Sequence, residues 1–260
     1  MVLQEDLNKV ADWCSKWKMN INIDKTKVLS LSRAKNVHPP TYTIAGNTLK
    51  TVDKLSILGV TINNKLTWEN HVNRLCSKAN ADTRFINRVL AGTPSRTREL
   101  VFNSLIRSKL EYCSSVWDPP AQNLIGELEM VQRRGARMVF NNFRRHTCVT
   151  EMMNNLNWQT LQTRRRDRRL AMMYKIYHQE TILDPQDYFE QPDYMGRHDN
   201  SKKIKRYQCK RGVFANSFFP KTICDWNALA DETVLAPNQT AFNKLVELDH
   251  GPITCSHTEQ

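Results

Sequence analysis

The chain has no run of eighteen apolar residues, so nothing in it reads as a membrane-spanning helix. It has no CxxC pair. Its seven cysteines (14, 76, 113, 148, 209, 224 and 255) are odd in number and scattered. A structural zinc site needs closely spaced ligand pairs to preorganise a tetrahedron. His146-Thr147-Cys148 is the nearest approach and lacks a second pair, so no metal site is expected. GxSxG, HExxH and GxxxxGK[ST] are all missing, which removes the local signatures of nucleophile-elbow hydrolases, zinc peptidases and P-loop enzymes. With eight glycines and ten prolines in 260 residues the chain is neither collagenous nor of low complexity. It has no internal repeat, and its N-terminus has no apolar signal region. Unpaired thiols predict a reducing, intracellular compartment, nuclear or cytoplasmic.

What is present is charge of one sign. Thirty-eight Lys and Arg against 26 Asp and Glu leave a net charge of +12 and a pI near 9.5. Such a surface concentrates polyanions around itself. Nucleic acid is the commonest partner this implies, with an anionic membrane face as the alternative. The membrane reading is weaker, because the Arg-rich stretches lack a matching apolar face. Hydrophobic content of 40% is within the range of folded domains.

Leu3, Leu7, Val10, Cys14 and Trp17 step by four and three, which predicts an amphipathic helix ending near Lys16 and Lys18. Met19 to Ile23 alternates and predicts a strand, Asp24-Lys25-Thr26 a turn, and Val28 to Ser32 a second strand. Residues 34–40 read as a loop. Tyr42 to Val52, with Gly46-Asn47 at its centre, reads as a β-hairpin. Leu55 to Ile62 reads as a strand with Gly59 inside it, a position that marks a bulge or a close backbone approach. From residue 68 the period is helical. The first helix carries Val72, Leu75, Cys76, Ala79, Ile86, Val89 and Leu90. The second is capped by Ser95, with Leu100, Val101, Leu105, Ile106 and Tyr112 inward. A third carries Leu124, Leu128, Val131, Gln132 and Val139, and a fourth carries Trp158, Leu161 and then Leu170 to Tyr177. The expected fold class is α+β: a small N-terminal helix-plus-hairpin region (residues 1–67), then a mainly α-helical bundle (68–183). Residues 184–211, poor in apolar side chains, read as a basic linker or arm. Residues 212–260 regain aromatics and are expected to fold back on the body. Trp13, Trp17, Trp68 and Trp226 read as core anchors, and Trp117 as an exposed loop aromatic.

Between Arg133 and Arg169 lie ten arginines opposed only by Glu151 and Asp167. Arg133, Arg137 and Arg144 share one face if their helix persists, an arrangement that tracks a phosphate backbone. Arg134 lies beside them, and Arg165, Arg168 and Arg169 form a second group. RRRDRR also reads simply as a solvated helix segment whose Arg stems cover apolar surface. Lys202, Lys203, Lys205 and Arg206 begin a further cluster, with Tyr207 inside it as a base-stacking candidate. That cluster reads equally as a nuclear-localisation tract.

The string LQ..DL.....WC.KW.M.IN..KT at the chain's start resembles the segment just after the catalytic aspartates in reverse transcriptases of non-LTR (LINE-type) retrotransposons. LSILGVTINNKLTWENHV resembles that family's box of a strand with a central Gly, followed by a Trp and a His (here Gly59, Trp68 and His71). LIRSKLEYCSSVWDP, LEMVQRRGARMVF, LNWQTLQTRRRDRRLAMMYKIYH and SFFPKTICDWNAL are similar to later blocks, in the family's order. The resemblance implies the end of a polymerase palm, a primer-contacting hairpin and a helical thumb. Lys25 then falls at the lysine of the turn after the catalytic loop, and Leu58, Gly59 and Val60 at the primer grip.

The family's chemistry rests on two Mg²⁺ ions held by convergent carboxylates, including two adjacent aspartates. This chain has no Asp-Asp dipeptide. The expectation is a non-catalytic part of an RNA-directed DNA polymerase, with no catalytic or metal-binding residue and no cofactor of its own. It would hold RNA or an RNA/DNA hybrid by the backbone, and the rest of the polymerase is a further partner. The alternative is a transposon-derived protein-interaction module, or a copy without function.

Overall fold

A computed structural model describes residues 2–32 and 40–250. The chain divides into two compact units on either side of the His71–Val72 bond. The fold is α+β, with three two-stranded ladders in the first unit and a mainly helical second unit. The sequence-expected loop at 34–40 lies almost wholly outside the described residues.

In the first unit, α1 (Val2–Lys16) forms where the apolar stripe predicts it. It ends with Lys18 in the left-handed region (φ 57°), Met19 N–H donating to the Cys14 carbonyl at 2.8 Å and Lys18 N–H to Ser15 at 3.2 Å. That is a Schellman-type stop. The stripe is not covered by the unit: no residue of α1 is buried, and Trp13 and Trp17 are exposed. They are therefore not core anchors. The helix is held instead by Gln4, which bonds the Thr43 backbone in both directions (2.8 and 3.0 Å).

Residues 19–23 do not form the expected strand. The Asn22 side chain and carbonyl take the backbone N–H of Lys25, and the carbonyl also takes that of Thr26. Such local bonds compete with a ladder. The second strand shrinks to β1 (Lys27–Val28). The first hairpin is present as β2 (Thr43–Ile44) and β3 (Asn47–Thr48), turning on Ala45-Gly46 with both φ positive. β4 (Lys50–Thr51) pairs in parallel with β1.

The segment read as one strand is a second hairpin, β5 (Lys54–Ile57) and β6 (Val60–Asn63). Leu58 (φ 47°) and Gly59 (φ 85°) form its two-residue turn, the primed geometry that matches strand twist. His71 accepts the Thr61 N–H at 3.2 Å through Nδ1. Among the described residues of the unit the buried hydrophobics are Ile44, Leu49 and Val60.

The second unit contains most of α2 (Glu69–Val89), with Val72, Cys76, Ala79 and Ile86 inward as expected. Burial, with Glu127 next, pushes the Cys76 thiol up to about 11. Then α3 (Ser95–Val101) runs unbroken through a π-helical stretch (Phe102–Arg107) into α4 (Ser108–Glu111). Pro94, not Ser95, precedes the first turn. The π stretch changes the phase of the rod, so Phe102, Ile106 and Leu110 face the core while Leu100, Leu105 and Tyr112 are exposed.

Cys113 (φ 52°) breaks the rod before α5 (Ser114–Trp117). Trp117 is fully buried, its indole N–H donating to the Tyr112 carbonyl at 2.8 Å, rather than an exposed loop aromatic. The third expected helix is α6 (Gln122–Val139), and all five of its predicted inward residues are buried. Its Gly135 lies against the Phe102 ring, which stacks on Trp158 at 4.9 Å. The Arg107 guanidinium stands 4.0 Å from the Trp158 ring centroid.

After α7 (Val149–Asn155), α8 (Leu161–Tyr177) begins with its free N–H groups satisfied from two sides. Thr160 Oγ1 accepts from Thr163 N–H, and the Glu129 carboxylate on α6 accepts from Leu161 and Gln162. Burial raises Glu129 above the usual carboxylate range, and the two backbone donors offset only part of that.

The C-terminal region folds onto α8. It comprises α9 (Gly212–Ala215), α10 (Phe218–Asn227), α11 (Asp231–Val234) and α12 (Gln239–Leu248). Leu170, Met173 and Tyr174 of α8 share one core with Ile223, Trp226, Val234, Phe242 and Val246. Residues 184–211 are not a free arm. Ile204 is buried in that core, Asn200 donates to the Trp226 and Leu229 carbonyls, and Asn227 bonds both the N–H and C=O of Ile204.

Candidate nucleic-acid interface

The arginines from 133 to 169 separate into two populations. Those of α8 turn inward. Arg165 is 0% exposed and its Nε donates to Asp118 at 2.7 Å. Arg169 is also buried and bridges Asp118 and Asp225. Arg164 and Arg168 both bind Glu111, and Arg166 approaches Asp225 at 3.8 Å. Lys221 of α10 adds a third cation to Asp118 at 2.5 Å.

Burial raises the Asp118 carboxyl, but Arg169, Lys221 and Arg165 outweigh it and hold the group below the usual range. Glu111 is likewise lowered, Arg164 and Arg168 overcoming its burial. Arg165 and Arg169 therefore pin α8 to α5 and α10 and are not available to a phosphate. Of the three α8 arginines expected at a nucleic acid, Arg168 alone keeps substantial exposure, with half its side chain in solvent.

The arginines of α6 face outward. Arg133 and Arg134 are exposed and Arg137 is half-buried, one helical turn from Arg133. The helix does not persist to Arg144. Phe140 caps it, Asn141 adopts φ 48°, and Asn142 N–H returns to the Arg137 carbonyl at 2.9 Å. Arg144 nevertheless joins the same surface, because Arg137 Nη1 donates to its carbonyl at 2.9 Å. The Asn142 side chain secures the turn by accepting from Arg144 N–H and the Thr147 hydroxyl.

Arg145 is exposed beside it, as are Phe140 and Phe143, the latter at 56%. Arg134 Nη1 donates to Asn80 Oδ1 of α2, a neutral partner. Among the described residues none of these five arginines forms a salt bridge. The surface thus combines guanidinium groups outside salt bridges, which suit phosphates, with exposed rings, which suit bases. Phe140 and Phe143 were not singled out from sequence, although two phenylalanines bracketing Asn-Asn at a helix stop are a local signal for such a turn.

The remaining expected residues are dispersed. Lys25 is exposed at the Asn22–Thr26 turn of the first unit. Leu58 and Gly59 form the tip of the second hairpin, Leu58 being 84% exposed, whereas Val60 is buried and faces the core. In the second unit, Lys203 is paired with Asp199, and Lys205 with Glu190 and Asp193. Lys202 is half-buried, its carbonyl accepting the Trp226 indole N–H. Arg206 stays exposed. Tyr207 donates its hydroxyl to the Tyr188 carbonyl. Asn227 binds the backbone of this tract at Ile204, while Arg206, Lys210 and Arg211 remain exposed.

Among the described residues no group of three or more His, Cys, Asp or Glu side chains converges on a metal-sized site, and no helix is long and apolar enough to cross a membrane. The six described cysteines are free thiols. No protein-family model, curated protein or solved structure matches the chain.

Proposed function

We propose that this chain is a non-catalytic part of a non-LTR retrotransposon reverse transcriptase, an intracellular thumb-like module that holds RNA or an RNA/DNA hybrid by its backbone. The observation that carries the reading is the surface of α6 and its terminal turn: Arg133, Arg134, Arg137, Arg144 and Arg145, with Phe140 and Phe143 exposed between them. The order of the sequence blocks supports the family assignment. The exposed tip at Leu58 and Gly59 is compatible with contact to a primer strand. The rest of the polymerase, which would carry the aspartates and their Mg²⁺, is the protein partner this reading names.

Fluorescence anisotropy with a labelled RNA/DNA duplex tests it. Five arginine–phosphate contacts give a log–log salt slope near −4.5, at roughly −0.9 per contact. Arg133→Gln with Arg137→Gln should reduce the slope by about 1.8 on the same basis. Absence of binding at low salt, or a slope unmoved by the double substitution, refutes the reading. Primer extension by the isolated chain should stay at background.

The second reading, a protein-interaction module, is favoured by one observation. The Leu3, Val10, Trp13 and Trp17 stripe of α1 is exposed within its unit, and exposed apolar patches of this kind mark interaction sites.

A further inference from the structure

Beside the α8 ion network lies a cavity of about 230 Å³, lined by Glu111, Ser114, Ser115, Arg168 and Lys175 among others. Its own lining carries two cations, Arg168 and Lys175, against one acid, and the adjoining ion network is also cation-rich. Six cations (Arg164, Arg165, Arg166, Arg168, Arg169 and Lys221) share three carboxylates (Glu111, Asp118 and Asp225) within salt-bridge distance. Glu111, the one acid in the lining, is nearly fully buried, with Arg164 and Arg168 on its two oxygens. It presents little negative charge to the cavity.

Arg168 and Lys175 lie seven residues apart on one face of α8. Lys175 is exposed and forms no ion pair among the described residues. Ser114 is 1% exposed, and its hydroxyl has no hydrogen-bond partner among the described residues. A buried, unanswered hydroxyl beside Lys175 and the Arg168 N–H groups that Glu111 does not take is a donor set without an acceptor.

We propose that this cavity seats a phosphomonoester, a dianion held by Arg168, Lys175 and the Ser114 hydroxyl. A doubly charged terminal phosphate matches the cationic excess better than a singly charged phosphodiester does. The neighbouring cavity of about 320 Å³ on the other flank of Arg168 is unsuited to an anion, because Asp167 and Glu247 line it. The phosphate is either free, as inorganic phosphate or a mononucleotide, or the 5′ end of a nucleic acid strand. The site shares no residue with the α6 surface, so either can fail without the other.

The test titrates the full chain with inorganic phosphate at constant ionic strength, with chloride as control, by calorimetry and ³¹P line broadening. A second arm compares 5′-phosphorylated with 5′-hydroxyl forms of one short oligonucleotide. Saturable 1:1 phosphate binding is expected, weakened about tenfold by Lys175→Gln and by Ser114→Ala, each removing one contact to a charged group. It should be unchanged by Arg133→Gln with Arg137→Gln. Ser114→Ala deletes a hydroxyl without a hydrogen-bond partner among the described residues, so its fold should survive, whereas Arg168→Gln also breaks the Glu111 pair. A preference for the 5′-phosphorylated strand assigns the strand end; binding of inorganic phosphate without that preference assigns the free ligand. No saturable binding, or binding indifferent to both Lys175→Gln and Ser114→Ala, overturns the proposal.

Discussion

Replacing Asp118 by Asn isolates the energetics of the α8 network. The substitution keeps size and one acceptor but removes the charge facing Arg165, Arg169 and Lys221. Arg169 retains Asp225, and Lys221 is exposed enough for water to help. Arg165 retains no charged partner. It is fully buried, Asp118 is its one salt-bridge partner among the described residues, and both of its terminal nitrogens already lack acceptors. Leaving a buried charge uncompensated costs roughly 3–5 kcal/mol, and the retained acceptor places this case at about 3. At roughly 2–4 °C per kcal/mol for a unit of this size, the melting temperature should fall by about 10 °C. Circular dichroism at 222 nm, with urea unfolding in parallel, measures it.

Adding Arg165→Met to Asp118→Asn should restore most of the loss, since an apolar side chain of similar length carries no charge to strand. An Asp118→Asn protein within about 0.5 kcal/mol of the parent, the scatter of an ordinary surface change, would refute the account of α8 as internally paired. The pH dependence follows the same logic. Asp118 and Glu111 sit below their usual values in the folded chain. Their contribution is therefore complete above the unfolded carboxylate range of about 4 and is lost as pH falls through the folded values.

Three further outcomes are expected. Gly135→Ala drives a Cβ into the Phe102 ring, which is buried and stacked on Trp158. A loss of about 1–3 kcal/mol in urea unfolding is expected, and a neutral result contradicts that packing. Leu58→Asn should stabilise the second hairpin by about 0.5–1 kcal/mol, because Asn tolerates the positive φ that Leu adopts there; slower amide exchange across Lys54–Asn63 would report it. Trp13→Glu on α1 should leave unfolding within about 0.5 kcal/mol of the parent, since the ring is exposed, while reducing binding of a hydrophobic dye; a large destabilisation means the stripe is covered.

Features set by neighbours in sequence were legible. The period of α6 identifies all of its predicted inward residues, and the Gly46-Asn47 signal finds the first hairpin one residue past its Ala45-Gly46 turn. Features set across long separations were not. The acids that neutralise α8 lie about fifty residues before and after it, so charge counted in a window around residues 133–169 overstates what reaches solvent. The π stretch at Phe102–Arg107 shifts which residues of its rod face inward, and no apolar period announces it. Residues 184–211 look unanchored by hydropathy because their attachment is polar, through the Asn200 and Asn227 amides to backbone. At Leu58-Gly59 the turn uses Leu where Asn is the usual signal, so an apolar string conceals a hairpin.

This division of the arginines decides how any mutational test of nucleic-acid binding is interpreted. Neutralising RRRDRR is the obvious experiment from sequence, and on the proposed reading it abolishes binding. It would do so by releasing α8 from Glu111, Asp118 and Asp225, on which the C-terminal core is assembled. Neutralising Arg133, Arg144 and Arg145 removes side chains without salt bridges at the surface, so folding stability should be nearly untouched. Only in the second case does lost affinity report lost contacts. Affinity and unfolding measured on the same variants therefore separate the two populations: α8 substitutions move both together, whereas α6 substitutions move affinity and its salt slope alone.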